Sequence, residues 1–332
     1  MKTFRERLKT DIPILYDGGF GSQLFARNIQ LANSALANKS YPNDVIDIHL
    51  DYIKAGADVI GTNTFVVSPL HLQMAGQDKS DAKQLTKLGV QHAKDAVARC
   101  EKEVYIAGSV GPSPGAIEAD SGDTTFGIAN DEVREAHKLV INTLAEEGVD
   151  FLCLETMFSA KEAAIAADVA RKTELPIAVN MTYKCTKDRK TGEITYKTDW
   201  GHSATHLLQI LNSGEFSNGD SLIDNIDIIG LNCGAETKHQ EHSGMPYAIN
   251  GTKQLHDAFI TLGINGKRMM AYPNAGMPEL NENYETVYTQ DADEMKAYIP
   301  ELIAAGAYII GGCCGTTPKH IKAFRQAIDT NT

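Results

Sequence analysis

The chain has 332 residues, 42% of them hydrophobic, and carries 31 Lys and Arg against 43 Asp and Glu, a formal net charge of −12. That length admits one large barrel-type domain or two smaller ones. The acidic balance, without a basic cluster, argues against nucleic acid or an anionic membrane surface as partner, and six cysteines in so long a chain do not make a secreted disulfide scaffold.

The N-terminus, Met1-Lys2-Thr3-Phe4-Arg5-Glu6-Arg7, is charged and lacks an apolar signal core, and no apolar run is long enough to span a bilayer. The expectation is a cytoplasmic, reduced protein. A first strand is predicted over Pro13–Tyr16, ending in the polar run Asp17-Gly18-Gly19-Phe20-Gly21. From there a pattern recurs: an amphipathic helical stretch ends in glycine, the residue suited to a left-handed helix C-terminus, and a short apolar strand follows. Ala55-Gly56-Ala57-Asp58-Val59-Ile60 leads into Thr62-Asn63-Thr64-Phe65, and Glu147-Gly148-Val149-Asp150-Phe151-Leu152 leads into Glu155-Thr156. Ala305-Gly306-Ala307-Tyr308-Ile309-Ile310 leads into Gly311-Gly312-Cys313-Cys314-Gly315.

With the intervening segments Val104–Gly108, Pro176–Met181, Ile226–Leu231 and Arg268–Tyr272, the predicted strands number about eight, apolar on both faces and separated by helical patterns, which predicts a parallel sheet covered by helices and hence a (β/α)8 TIM barrel. Ser159-Ala160-Lys161-Glu162 reads as a capping box, and Thr317-Pro318 as a cap with proline at the first helical position. No low-complexity linker interrupts residues 1–332, which are assigned to a single domain. The longest irregular piece, from Tyr183 to about Gly201, carries Lys187-Asp188-Arg189-Lys190-Thr191-Gly192 and reads equally as a solvated hairpin or a substrate-facing loop.

Polar residues gather at the C-terminal ends of the predicted strands, where barrels of this type build their sites. Cys313 and Cys314 are adjacent, too close in Cα spacing for easy disulfide formation, and glycines around them let the backbone turn sharply. A shared metal ion explains the pair better. Cys233, closing the strand before Gly234, supplies a third thiol, and three thiolates make an incomplete tetrahedral zinc site with one open position. An iron–sulfur cluster lacks the close multi-cysteine spacing it needs. Cys100, Cys153 and Cys185 read as inert buried thiols. Asp17 and Glu155 are placed to hold a ligand ammonium by charge-assisted hydrogen bonds, and the amides of Gly19, Phe20 and Gly21 to form an anion-binding nest. His202 and His206 have metal-like spacing but no third ligand, and are assigned to capping or ordinary polar roles.

These motifs resemble the homocysteine S-methyltransferase family, which includes betaine–homocysteine methyltransferase and the homocysteine-binding domain of cobalamin-dependent methionine synthase. The likeness runs from Asp17-Gly18-Gly19 to Thr317-Pro318 and is most specific in Asn232-Cys233-Gly234 and Gly311-Gly312-Cys313-Cys314-Gly315-Thr316-Thr317-Pro318, with Gly61-Thr62-Asn63-Thr64-Phe65 and Pro273-Asn274-Ala275-Gly276 in support. It implies a (β/α)8 barrel that transfers a methyl group to homocysteine and forms methionine. Cys233, Cys313 and Cys314 would bind Zn2+, homocysteine sulfur would take the open position, and Asp17 and Glu155 would face its amino group. Asn232 would stand in the substrate site. Asn274 matches the residue whose oxygen fills the fourth position in some members when substrate is absent. Members differ in donor: methylcobalamin with methyltetrahydrofolate, betaine, or S-methylmethionine and S-adenosylmethionine. Gly315 after the cysteine pair and Ala275 stand nearer the methionine synthase domain than the S-methylmethionine enzymes, and a corrinoid donor would arrive on a separate protein. Two other readings use the same thiols: a non-enzymatic zinc or thiol sensor, and a methyltransferase for another small thiol.

Overall fold

Each of the eight apolar segments forms a strand of one parallel sheet. In a computed structural model describing residues 2–188, 190–234, 240–282 and 286–331, they are β1 (Ile14–Leu15), β2 (Val59–Gly61), β3 (Tyr105–Val110), β4 (Phe151–Met157), β5 (Ile177–Met181), β6 (Ile228–Cys233), β7 (Arg268–Pro273) and β8 (Ala307–Ile310). Neighbours run β1-β8-β7-β6-β5-β4-β3-β2, once around a nearly closed barrel. The strands are buried along most of their length, because helices cover the outer face and side chains fill the inner one.

The aspartates before β2, β4 and β6 explain how the strand starts are stitched together. Asp58 N–H donates to the Leu15 carbonyl (2.7 Å), and its carboxylate accepts from the Leu15 N–H (2.9 Å). Asp150 makes the same pair of bonds to Ile106, and Asp227 to Ile177. At Asp58 the device bridges the seam between β1 and β2. Lys102 (2.9 Å) and Arg325 (3.0 Å) add ion pairs to that carboxylate. Asp58→Ala would leave the Leu15 N–H without its acceptor and take from Arg325 one of its two carboxylate partners, Asp329 remaining at 2.8 Å, and is expected to cost about 2 kcal/mol in a denaturant or thermal melt; an unchanged melt would show that the seam does not need the pin.

The barrel interior is closed at the strand-start end. The short helix Phe4–Arg7 inserts Phe4, stacked on Phe151 with ring centroids 4.1 Å apart, and burying such a ring contributes about 1.5–3 kcal/mol. Arg268 lies over the Tyr308 ring at 4.1 Å and donates to the Leu8 and Thr10 carbonyls. The opposite end, where the strands finish, opens into a cavity.

Local expectations fared unevenly. Ser159 caps its helix by accepting from Lys161 and Glu162 N–H, but Glu162 does not complete the box: its buried carboxylate accepts instead from Ser113 N–H and His137. Pro318 opens the last helix as expected. The piece after β5 is a hairpin, Lys184–Lys187 with Ile194–Lys197, docked through buried Tyr196, whose N–H donates to Gln254; Arg189 of that piece lies outside the described residues. A second hairpin, Pro278–Leu280 with Thr286–Tyr288, was not anticipated. Among the described residues no helix is long and apolar enough to cross a membrane.

Candidate metal and substrate site

Strand ends and glycines bring the three predicted thiols together. Cys233 ends β6 in the left-handed region at φ 57°, and Gly234 follows at φ 108°, so the chain turns away while the side chain faces the barrel mouth. Gly311 and Gly312 carry β8 over the first strand, where Gly312 N–H donates to the Asp17 carbonyl (2.9 Å) and Cys313 N–H to that of Pro273 (2.8 Å). The sulfurs of Cys233, Cys313 and Cys314 all lie within 4.8 Å of one another, and those of Cys313 and Cys314 are 3.9 Å apart. A tetrahedral zinc with 2.3 Å bonds to sulfur requires about 3.8 Å between ligands. The trio fits that ion.

Cys313 and Cys314 lie within hydrogen-bond reach through their sulfurs. Cys314 is held well below the usual thiol range by donation from Cys233 and Cys313. Cys313 is pushed well up by its bonds to Cys233 and Cys314 and by burial. Cys233 is also raised: its bond with Cys313 works against the rise, but donation to Cys314 and burial outweigh it. The ring of Tyr288, on the unanticipated hairpin, lies where a Cβ on Gly315 (φ 79°) would have to stand.

Two carboxyls share the mouth. The β4–β5 register slips by one residue between Leu154 and Met157, a bulge that re-aims Glu155 and Thr156. Glu155 accepts from the Ser109 hydroxyl and from Tyr272 Oη (3.0 Å). Asp17 accepts from Gly61 N–H at 2.8 Å. Burial pushes both carboxyls above the usual range, Asp17 furthest, with Glu155's charge adding to the rise. Such a pair gains from a cation between its members.

Asp17, Glu155, Phe20 and the three cysteines line one cavity of about 230 Å³. Within the expected nest, the Gly19 amide is engaged with Thr316 Oγ1 (3.0 Å), while Phe20 and Gly21 open the first turn of helix Phe20–Ala26, which has no side-chain cap. Asn232 and Asn274 stand behind the thiols and not in the cavity wall. Asn232 is clamped to Thr156, accepting from its N–H (2.7 Å) and donating to its hydroxyl (2.7 Å). Asn274 Oδ1 accepts from Cys314 N–H (3.1 Å), and its amide nitrogen donates to the Gly234 carbonyl (3.3 Å). His202 and His206 serve backbone amides, those of Ala160 and Ser203. Cys153 is fully buried, but Cys100 and Cys185 are only partly so. Ser109, Tyr272 and Tyr288 went unpredicted: Ser109 lies one residue past the expected end of β3, Tyr272 inside an expected strand, and Tyr288 in a hairpin with little apolar signal.

A thiol trio beside the buried Asp17 and the part-buried Glu155, at the C-terminal mouth of a (β/α)8 barrel, defines a barrel enzyme of thiol chemistry. The chain belongs to the homocysteine S-methyltransferase family, whose model matches residues 14–328, and it is a methyltransferase on that ground. Homocysteine S-methyltransferase of Escherichia coli (strain K12) is 26% identical over 343 residues, 96% of this chain and 95% of its own. Homocysteine S-methyltransferase 4 of Zea mays is 25% identical over 94% of this chain and 88% of its own. The crystal structure of the E. coli homocysteine methyltransferase MmuM in its metallated form superposes with a TM-score of 0.67 at 23% identity, covering 97% of this chain and 98% of that one, and shares the fold.

Proposed function

We propose that the protein is a zinc-dependent methyltransferase that methylates L-homocysteine to methionine. One observation carries the reading: three thiols converge next to two carboxyls, one buried and one part-buried, in a single cavity large enough for a small amino acid. Cys233, Cys313 and Cys314 would hold the ion. Zinc, once bound, keeps a substrate thiol in the nucleophilic thiolate form at neutral pH, where a free thiol is only a few per cent ionised.

The rest is the work of the chain. Asp17 and Glu155 take the substrate ammonium, relieving the carboxyls of their mutual repulsion. Ser109 and Tyr272 keep the Glu155 carboxylate in place. The amides of Phe20 and Gly21, at the positive end of their helix, suit the substrate carboxylate. Held at both polar groups, homocysteine directs its sulfur toward the cysteines. The sulfur attacks the donor methyl carbon, the new C–S bond forms, and the donor leaves with the electron pair of the bond that breaks.

The donor is tested directly. Purified protein is assayed for methionine with homocysteine and, in turn, betaine, S-methylmethionine, S-adenosylmethionine and methylcobalamin, the last with and without a corrinoid protein, and metal is quantified in parallel. About one zinc per chain is expected, matching one three-thiolate site, together with methionine from at least one donor. Full activity in a zinc-free preparation, or methylation of other thiols in preference to homocysteine, would sink the reading.

A further inference from the structure

Successive side chains of a strand point to opposite faces, yet Glu155 and Thr156 of β4 both line the cavity. The bulge between Leu154 and Met157 brings them to one side, with Thr156 in the left-handed region at φ 57°. A β-branched residue is strained there and stays only where its surroundings hold it. Asn232 of β6 does the holding. Its Oδ1 accepts from Thr156 N–H and its Nδ2 donates to Thr156 Oγ1, both at 2.7 Å. The same clamp fixes the polarity of the hydroxyl. With the amide oxygen taken by a backbone N–H, only the nitrogen is left to meet Oγ1, and an amide nitrogen can only donate. Oγ1 is therefore the acceptor in that bond, and its own proton is free. Among the described residues no group accepts that proton, and the side chain is only part-buried at the cavity wall.

We propose that Thr156 is a specificity-determining residue that donates its hydroxyl proton to the carboxylate of the α-amino acid substrate, and that Asn232 is the positioning residue that makes the hydroxyl a donor. The proposal rests on the functional reading above. In an α-amino acid the ammonium and the carboxylate share one carbon. Adjacent residues that offer an acceptor, Glu155, and a donor, Thr156, match that head group. Among the described residues lining the cavity there is no Lys, Arg or His, so the carboxylate must be met by neutral donors. It has two oxygens: the amides of Phe20 and Gly21 serve one, and Thr156 the other.

Thr156→Val, Thr156→Ser and Asn232→Asp are loaded with zinc and titrated calorimetrically with homocysteine and with 3-aminopropane-1-thiol, the same molecule without its carboxylate. Zinc is quantified in each, because Asn232 Nδ2 also lies 3.9 Å from Cys313 Sγ. Thr156→Val is expected to weaken homocysteine about tenfold, the scale of losing one hydrogen bond to a charged group, and to leave 3-aminopropane-1-thiol unchanged. Thr156→Ser, which keeps the hydroxyl, should bind both as wild type does. Asn232→Asp still accepts from Thr156 N–H but draws the hydroxyl proton to itself, so it should weaken homocysteine about as much as Thr156→Val does. Added to Thr156→Val it should have no further effect, since the hydroxyl it acts through is gone. An Asn232→Asp effect that persists in the Thr156→Val background overturns the positioning role. Thr156→Val that binds homocysteine as wild type does, or that weakens both ligands alike, overturns the contact with the carboxylate and leaves the functional reading standing. A wild-type chain that binds neither ligand overturns both.

Discussion

Cys313→Ala is expected to leave the chain folded but free of zinc, and to slow methionine formation by about three orders of magnitude. Two remaining thiols cannot complete a three-thiolate site. A substrate thiol that must ionise on its own is only a few per cent thiolate at neutral pH, a loss of about thirtyfold. The remaining loss comes from the sulfur no longer being held in line with the donor, since positioning alone is worth several kcal/mol in well-oriented reactions. Folding should survive because Cys313 sits at the open end of the barrel and only edges onto the interior cluster; a melting temperature within a few degrees of wild type is expected. Cys153→Ala makes the contrast. Cys153 is fully buried beneath the site, within 3.5 Å of Tyr272 Oη and 3.4 Å of Asn180 Nδ2, so its loss should lower stability while zinc binding persists. Zinc content, methionine rate and melting curve, measured on both variants, separate the cases. Cys313→Ala with stoichiometric zinc or a wild-type rate would refute the assignment.

The thiol trio was legible before any coordinates because its signal is local. A glycine-flanked cysteine pair at the end of a strand has few other uses, and the strand–helix period already implied which strand ends share a rim. All eight barrel strands were readable for the same reason: parallel strands buried on both faces are apolar throughout. Their ends were less so. The expected stop of β4 at Glu155 missed a bulge that carries the strand on to Met157, because one extra residue in a ladder leaves no mark in hydropathy. Asp58 and Asp150 stood in the recurring pattern and Asp227 inside an expected strand, yet nothing in a single chain says that a carboxylate will accept from a neighbouring strand. Asn232 and Asn274 were found by motif, but not the orientation of their amides, which is set by backbone N–H groups of other loops, those of Thr156 and Cys314. Tyr288 was invisible: Pro278–Leu280 and Thr286–Tyr288 are three-residue strands of mixed polarity, and only their pairing brings the tyrosine over Gly315.

Asp17→Asn should separate binding from stability. Burial, opposed only in part by the bond from Gly61 N–H, holds the Asp17 carboxyl well above the usual range. A carboxyl raised in the folded state favours folding below its unfolded pKa, and that contribution is lost as pH rises through the folded value. The empty protein should therefore lose stability as the pH climbs through that raised value, and homocysteine should restore it, because the substrate ammonium favours the ionised pair. By the same linkage, affinity for homocysteine should weaken as pH falls and the carboxyls take up protons. Asparagine keeps an oxygen for Gly61 N–H but cannot ionise. The variant's melting temperature should equal or exceed that of wild type at alkaline pH and respond less to pH. Its kcat/KM for homocysteine should fall about a hundredfold, the scale of losing one member of a buried charge contact, mostly through KM. Glu155→Gln should likewise weaken homocysteine binding, and its single amide oxygen can replace only one of the two carboxylate oxygens that now accept from Ser109 and Tyr272. A variant that binds homocysteine as wild type does, with the same pH dependence, would show that the ammonium is held elsewhere, and the cavity would then have to be read as a site for a thiol without an amino group.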